Sequence, residues 1–239
     1  MNKVVVLDPG HGGYDPGAVA YGLEEKDLNL MLALKIADRL SDVKVLLTRE
    51  SDIFVSLADR VALSRRAGAD LFLSLHANAG GGRGFESFIY RGLSDRDSAA
   101  GMQKAVHGQV MDSISRWQIV DRGMKRAAFY VLKHNPNPAV LIESLFLDNI
   151  REASIWREAA FVENLADGAV RGIKSALGLK IETRKKTGPA PLPEAQTEAG
   201  RSLYTVQVGA FAYIENARQR LTEAQEAGFE DAYIYQKQL

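Results

Sequence analysis

The chain has 239 residues, 46% hydrophobic and 25% charged, with 30 Lys plus Arg set against 30 Asp plus Glu. That length holds one sizeable domain and something smaller, and the zero formal balance gives no whole-molecule attraction to nucleic acid or an anionic membrane. With no cysteine, disulfides and thiolate metal sites are excluded, so any metal must be held by His, Asp or Glu.

The first β-branched run, Val4 to Leu7, is closed by Asp8-Pro9-Gly10. It is too short for the apolar core of a signal peptide, and no stretch reaches the length needed to span a bilayer. The expectation is synthesis in the cytoplasm without a signal peptide, no membrane insertion, and action elsewhere only after release. Leu28, Leu32, Ile36 and Leu40 then recur at helical spacing from about Glu25. Apolar runs at Val43 to Leu47, Leu71 to Leu75, Phe85 to Tyr90, Ala128 to Leu132 and Ala139 to Ile142 are mostly continuous, as in strands buried on both faces. Ser56 to Ala67, Asp95 to Trp117 and Glu152 to Leu177 have helical character. Alternating strands and helices predict an α/β fold, an open, mostly parallel twisted sheet with helices on both faces, over residues 1–178.

Residues 179–202 are polar and proline-rich around Gly188-Pro189-Ala190-Pro191-Leu192-Pro193, the composition of a linker. Beyond it Leu203 to Gly209 alternates like a strand, Glu215 to Ala227 is helix-like with Gly228 as its stop, and Ala232 to Tyr235 is a second strand. This predicts one small C-terminal β-α-β unit over 203–239, which buries little core by itself.

Chemistry-bearing residues fall where such a sheet binds ligands, at the carboxyl ends of its strands. His11 follows the first strand in Asp8-Pro9-Gly10-His11-Gly12-Gly13, and His76 ends the run Leu71 to Leu75. Two of only four histidines at strand ends point to a shared metal. A catalytic zinc takes three protein ligands and keeps a position for water, so a carboxylate should complete the set. Glu24 and Glu25 both stand at the start of the Leu28–Leu40 helix, and spacing alone does not choose between them. Glu143 ends the run Pro138 to Ile142, where a carboxylate can take a proton from activated water. Gly80-Gly81-Gly82-Arg83-Gly84 lacks the Lys-Ser/Thr ending of a phosphate loop and is expected to be a flexible turn. His107 is expected to be solvated on a polar helix, and His134 to be a loop residue, with lining of the cleft near Glu143 as the alternative.

With these residues assembled, 1 to about 178 resembles the zinc-dependent N-acetylmuramoyl-L-alanine amidases of the Amidase_3 type, found in bacterial autolysins and phage endolysins. The matching blocks are Asp8 to Ala18, Glu25-Lys26-Asp27, Thr48-Arg49, Ala69 to Asn78, Gly84-Phe85-Glu86, and Pro138 to Glu143 followed by Phe146 and Asn149. The resemblance implies that His11, Glu25 and His76 bind zinc, Glu25 rather than Glu24, and that Glu143 is the catalytic acid/base. It implies hydrolysis of peptidoglycan between N-acetylmuramic acid and L-alanine. Leu145 departs from the glycine usual before the Phe. The segment from Leu203 to Phe211 with Gly228-Phe229 resembles half of a SPOR repeat, a wall-binding module, and is expected either to pair with a second copy or to be a truncated remnant. The rival readings are a zinc peptidase cutting within the stem peptide and a non-catalytic wall-binding protein.

Overall fold

The computed structural model describes residues 3–181 and 221–222. The chain divides into two units, Met1–Glu182 and Thr183–Leu239. The expected linker and β-α-β unit lie almost wholly outside the described residues.

In chain order the first unit contains β1 (Val4–Pro9), β2 (Val19–Ala20), β3 (Leu23–Glu24), α1 (Glu25–Asp38), β4 (Lys44–Leu47), α2 (Leu57–Ala67), β5 (Leu71–Asn78) and β6 (Phe85–Tyr90). It continues with α3 (Ser98–Ser113), β7 (Asp121–Ala127), α4 (Tyr130–Lys133), β8 (Ala139–Phe146), α5 (Ile150–Trp156) and α6 (Ala159–Ala176). Six strands form one sheet in the order β4-β1-β5-β8-β6-β7. The first four are parallel, β6 runs antiparallel to β8, and β7 is parallel to β6.

The continuous apolar runs follow from burial on both faces. Side chains alternate across a strand, so Val5, Leu7, Leu71, Leu73, Leu75, Val140 and Ile142 enter one core with α1, α3 and α6. Val6, Phe72, Ala139 and Leu141 enter a second with Val61 of α2 and Val131 and Leu132 of α4. At roughly 1.5–3 kcal/mol per buried side chain, these two layers hold the strand ends, and the site they carry, in place.

The structure departs from the sequence expectation in two places. Ala128 to Leu132 is not a strand. The edge strand lies just before it, at Asp121–Ala127, and burial there only alternates between exposed and intermediate. A half-exposed edge strand needs no apolar run, so Asp-Arg-Gly-Met-Lys-Arg-Ala carries no strong strand signal. The helix expected over Glu152 to Leu177 is two helices, α5 and α6, turning at Arg157–Glu158. The turn lets Trp156 and Phe161 both enter the core, with ring centroids 5.5 Å apart and planes at 80°.

Candidate active site

β1 delivers the chain to the carboxyl edge of the sheet. There the Gly10 N–H donates to Leu75 O at 3.0 Å and the backbone turns outward through His11, whose φ is 61°. A Cβ on Gly10 would lie 2.2 Å from the His76 ring, so only glycine lets the two histidine-bearing segments meet. Two buried arginines grip this turn by its carbonyl oxygens. Arg49 donates to Pro9, Gly10 and Lys26 oxygens, and Arg60 to Pro9 and His11 oxygens. Arg60 is neutralised by Asp8 at 2.8 Å, a buried carboxylate that also accepts from the Thr48 and Ser74 hydroxyls at 2.7 Å each. Charged donors on buried carbonyls make strong hydrogen bonds, and here they fix the unfavourable backbone at His11.

Glu25 arrives from a different direction. The two-residue turn Tyr21-Gly22, both at positive φ, closes the β2–β3 hairpin and leads straight into α1. The Glu25 carboxylate then lies between two imidazoles. Its Oε1 is 2.8 Å from His76 Nδ1 and its Oε2 is 3.2 Å from His11 Nε2. Oε1 also accepts from Ala77 N and Asn29 Nδ2, and Oε2 from Ala18 N. Glu24, by contrast, stands 3.5 Å from the Lys26 ammonium with its side chain 44% exposed. The other ring nitrogen of His11, Nδ1, is 2.9 Å from Asp15 Oδ2, which orients the imidazole and leaves Nε2 for Glu25 or a metal.

The electrostatics describe a site built for positive charge. Burial alone would lower the His11 pKa, but hydrogen bonds and charge from Glu25, with Asp15, reverse this and raise it to about 9. His76 is raised in the same way, its burial outweighed by Glu25 and then Glu143. Glu25 is opposed by burial yet held well below the usual carboxylate range by the two imidazoles. One ligand atom from each of His11, Glu25 and His76 lies within 4.8 Å of the others, a spacing at which the three could hold one metal ion. Solvent reaches the cluster, since the His11 and His76 side chains are 25% and 19% exposed.

Glu143 is brought to the same place by strand register. It pairs with His76 on β5 and with Glu86 on β6, and directly paired residues project from the same face. Its Oε2 is buried and has no protein donor among the described residues. Burial first, with the Glu25 and Glu86 charges adding and His76 and His11 subtracting, raises its pKa to about 7. Glu86 is itself kept ionised by the Lys125 ammonium and the Arg122 guanidinium, although burial opposes this, and it accepts from Asn78 Nδ2 at 2.7 Å.

Sequence reasoning gave no role to Asp15, Arg49, Arg60 or Glu86. Asp15, Arg49 and Glu86 fall inside the blocks that carry the family resemblance, but only tertiary contacts show what they and Arg60 do. His107 is a correction. It is buried, not solvated, with Nδ1 2.8 Å from Ser87 Oγ and Nε2 2.9 Å from Asp121 Oδ1. Ser87 is fully buried and also meets Gln103 Nε2 at 3.3 Å, so this trio fastens α3 to β6 and β7. His134 is exposed beyond α4, its ring tilted at 36° against Tyr130, at the end of β8 opposite Glu143.

Comparison with known proteins agrees with this architecture. The sequence pattern of the family described as N-acetylmuramoyl-L-alanine amidase matches residues 5–175, and that of the SPOR domain matches residues 168–236. The sporulation-specific N-acetylmuramoyl-L-alanine amidase of Bacillus subtilis (strain 168) is 37% identical over 234 residues, covering 96% of this chain and 84% of that protein. The endolysin of Bacillus phage SPP1 is 41% identical over 206 residues, covering 84% of this chain and 75% of that protein. Among solved structures, the catalytic domain of CwlV from Bacillus (Paenibacillus) polymyxa var. colistinus matches with a TM-score of 0.69 at 32% identity, over 74% of this chain and 99% of that one. The N-acetylmuramoyl-L-alanine amidase from Clostridium difficile 630 matches with a TM-score of 0.70 at 32% identity, over 75% and 98%. Since the family pattern spans both histidine-bearing strand ends, Glu25 and β8, the chain belongs to the N-acetylmuramoyl-L-alanine amidase family of peptidoglycan hydrolases.

Proposed function

We propose that this amidase works with one zinc ion held by His11, Glu25 and His76, and that Glu143 is its catalytic acid/base. The bond cut is the amide joining N-acetylmuramic acid to L-alanine. The observation that carries the assignment is the convergence of two imidazoles and one carboxylate beside a buried carboxylate oxygen that lacks a donor. The donor set suits zinc, because two nitrogens and one oxygen leave a position open, whereas calcium and magnesium favour all-oxygen cages. When bound, the ion supplies a lowered pKa for the attacking water and stabilisation of charge developing on the scissile carbonyl.

The protein's own groups do the rest. Asp15 holds His11 with Nε2 presented, and the Glu25 hydrogen bonds to Ala18, Asn29 and Ala77 fix the carboxylate between the rings. Glu143 Oε2 accepts a proton from the attacking water and returns it to the departing amine of L-alanine, so each bond change is balanced by one proton transfer. The fold holds Glu143 ready for this through paired strands on both sides. The SPOR-matching segment supports wall attachment, and we assign it to a unit at 203–239 following a linker at 179–202.

The test is digestion of purified peptidoglycan followed by mass spectrometry, with and without a chelator. New N-terminal alanine that disappears with the chelator is the expected result. New termini farther along the stem peptide would identify a peptidase, and absence of products a binding protein. Glu143→Gln is expected to keep one zinc per chain by elemental analysis while losing about 10²–10⁴-fold in kcat. A variant as active as the parent removes Glu143 from the mechanism.

A further inference from the structure

Beside the candidate metal cluster the protein displays an aromatic surface in a fixed position. Gly12 and Asp15 exchange backbone hydrogen bonds of 2.9 and 3.2 Å, making a tight turn that carries Tyr14. Tyr14 is 80% exposed, yet its ring is not free to wander. It stacks on Phe54, centroids 4.3 Å apart and planes at 24°. Tyr14 is three residues from His11, so at most about 10 Å of chain separates them. The base of the turn is pinned by the contact of His11 with Asp15.

The segment bearing Phe54 is locked to the turn. A Cβ on Gly12 would lie 2.3 Å from Ile53 O, and one on Gly13 would lie 2.7 Å from Phe54 N. The backbone of residues 53–54 therefore rests directly on the two glycines. Gly13 N donates to Asp52 Oδ1 at 2.7 Å, and Lys26 Nζ donates to Asp52 Oδ2 at 2.7 Å and to Gly13 O at 3.1 Å. Two rings are thus preorganised with one broad face turned to solvent, which lowers the entropy lost when a flat ligand lands on them.

The chemistry of the rim selects the ligand. Asp15 and Asp52 lie within two residues of the two rings in sequence; Asp15 is held by His11, and Asp52 and Glu24 stand beside Lys26. A pyranose brings a C–H face for the rings and hydroxyl donors for the carboxylates.

We propose that Tyr14, backed by Phe54, is a sugar platform that takes the pyranose of the glycan strand next to the reacting N-acetylmuramic acid. The proposal rests on the amidase reading of the metal cluster, and two measurements keep the two apart. In the first, peptide-free oligomers of N-acetylglucosamine and N-acetylmuramic acid, which offer no amide to cut, are titrated into the full-length zinc protein by NMR. Binding that weakens about five- to tenfold in Tyr14→Ala and persists in Tyr14→Trp is the expected result. In the second, KM is measured on a peptide-bearing glycan oligomer and on N-acetylmuramoyl-tripeptide, which has a single sugar. The ratio of the two KM values is expected to rise five- to tenfold in Tyr14→Ala, with zinc content as in the parent. Oligomer binding indifferent to Tyr14→Ala, or equal KM changes on both substrates, overturns the platform. Oligomer binding that depends on Tyr14 in a protein releasing no N-terminal alanine leaves the platform standing and removes the amidase reading instead.

Discussion

Glu25 shows how far single residues were legible. Two adjacent glutamates at a helix start cannot be separated by spacing. The structure separates them, because α1 starts at Glu25 and its side chain turns under His11 and His76 while Glu24 stays beside Lys26. The histidines were legible because a strand end announces itself in an apolar run. The grip of Arg49 and Arg60 on the turn was not, because nothing in the sequence shows which carbonyl oxygens a buried arginine will meet. The raised imidazole pKa values carry a pH prediction. Without metal, His11 is protonated up to about pH 9 and His76 is raised with it, because Glu25 favours the charged rings. Zinc held by these side chains would have to displace those protons, so its apparent affinity is expected to rise with pH towards about 9, by up to about tenfold per unit for each proton displaced. Chelator competition at three pH values measures this, and a pH-independent affinity would mean that Glu25 does not hold the imidazoles charged. Leu145 carries a second prediction. Its φ of 67° lies in the left-handed region, where β8 bulges against β5 between His76 and Asn78. Glycine there relieves about 1–2 kcal/mol of backbone strain. The Leu145 side chain is fully buried, however, and losing it costs about 2–5 kcal/mol. The packing term wins, so Leu145→Gly is expected to lower stability by about 1–3 kcal/mol in urea denaturation. A stabilised variant would show that the side chain fits its place poorly.

Among the elements, legibility follows burial. Strands β1, β5 and β8 are covered on both faces and stand out as unbroken apolar runs, whereas β7 lies at the sheet edge and stays hidden in a polar segment. The α5–α6 break was invisible because both helices keep apolar residues at helical spacing, and only the packing of Trp156 and Phe161 reveals the turn. The contact of α3 with α6 was also beyond periodicity. Gly168 and Gly172 lie one turn apart on α6, and a Cβ on Gly172 would be 2.6 Å from Val106 Cα. At an ordinary helix position Gly→Ala stabilises by about 1 kcal/mol. Here the added methyl meets backbone that cannot swing aside, and overpacking of that kind costs about 1–3 kcal/mol. Gly172→Ala is therefore expected to be neutral to destabilising by up to about 2 kcal/mol in thermal or urea unfolding. A gain near 1 kcal/mol would mean that the two helices stand farther apart than described.

At the scale of the whole molecule, the lack of cysteine narrows the donors for any metal to His, Asp and Glu before any fold is considered, and the described residues contain one cluster of that type. That cluster draws on three segments distant in sequence. His11 comes from the turn after β1, Glu25 from the start of α1, and His76 from β5. An unfolded chain keeps these residues too far apart, in the average conformation, to share one ion, so binding energy becomes folding energy. Zinc at a thousand times its dissociation constant adds about 4 kcal/mol. For a unit the size of Met1–Glu182 each kcal/mol shifts Tm by about 2–4 °C, so chelation is expected to lower Tm by about 8–16 °C. Calorimetry with and without chelator reads this directly. The same measurement on His76→Ala should show little response to the chelator, because one of the three elements no longer contributes a donor. Were the parent's melting indifferent to chelation, the three side chains would be neighbours held by their own hydrogen bonds rather than the walls of a metal site.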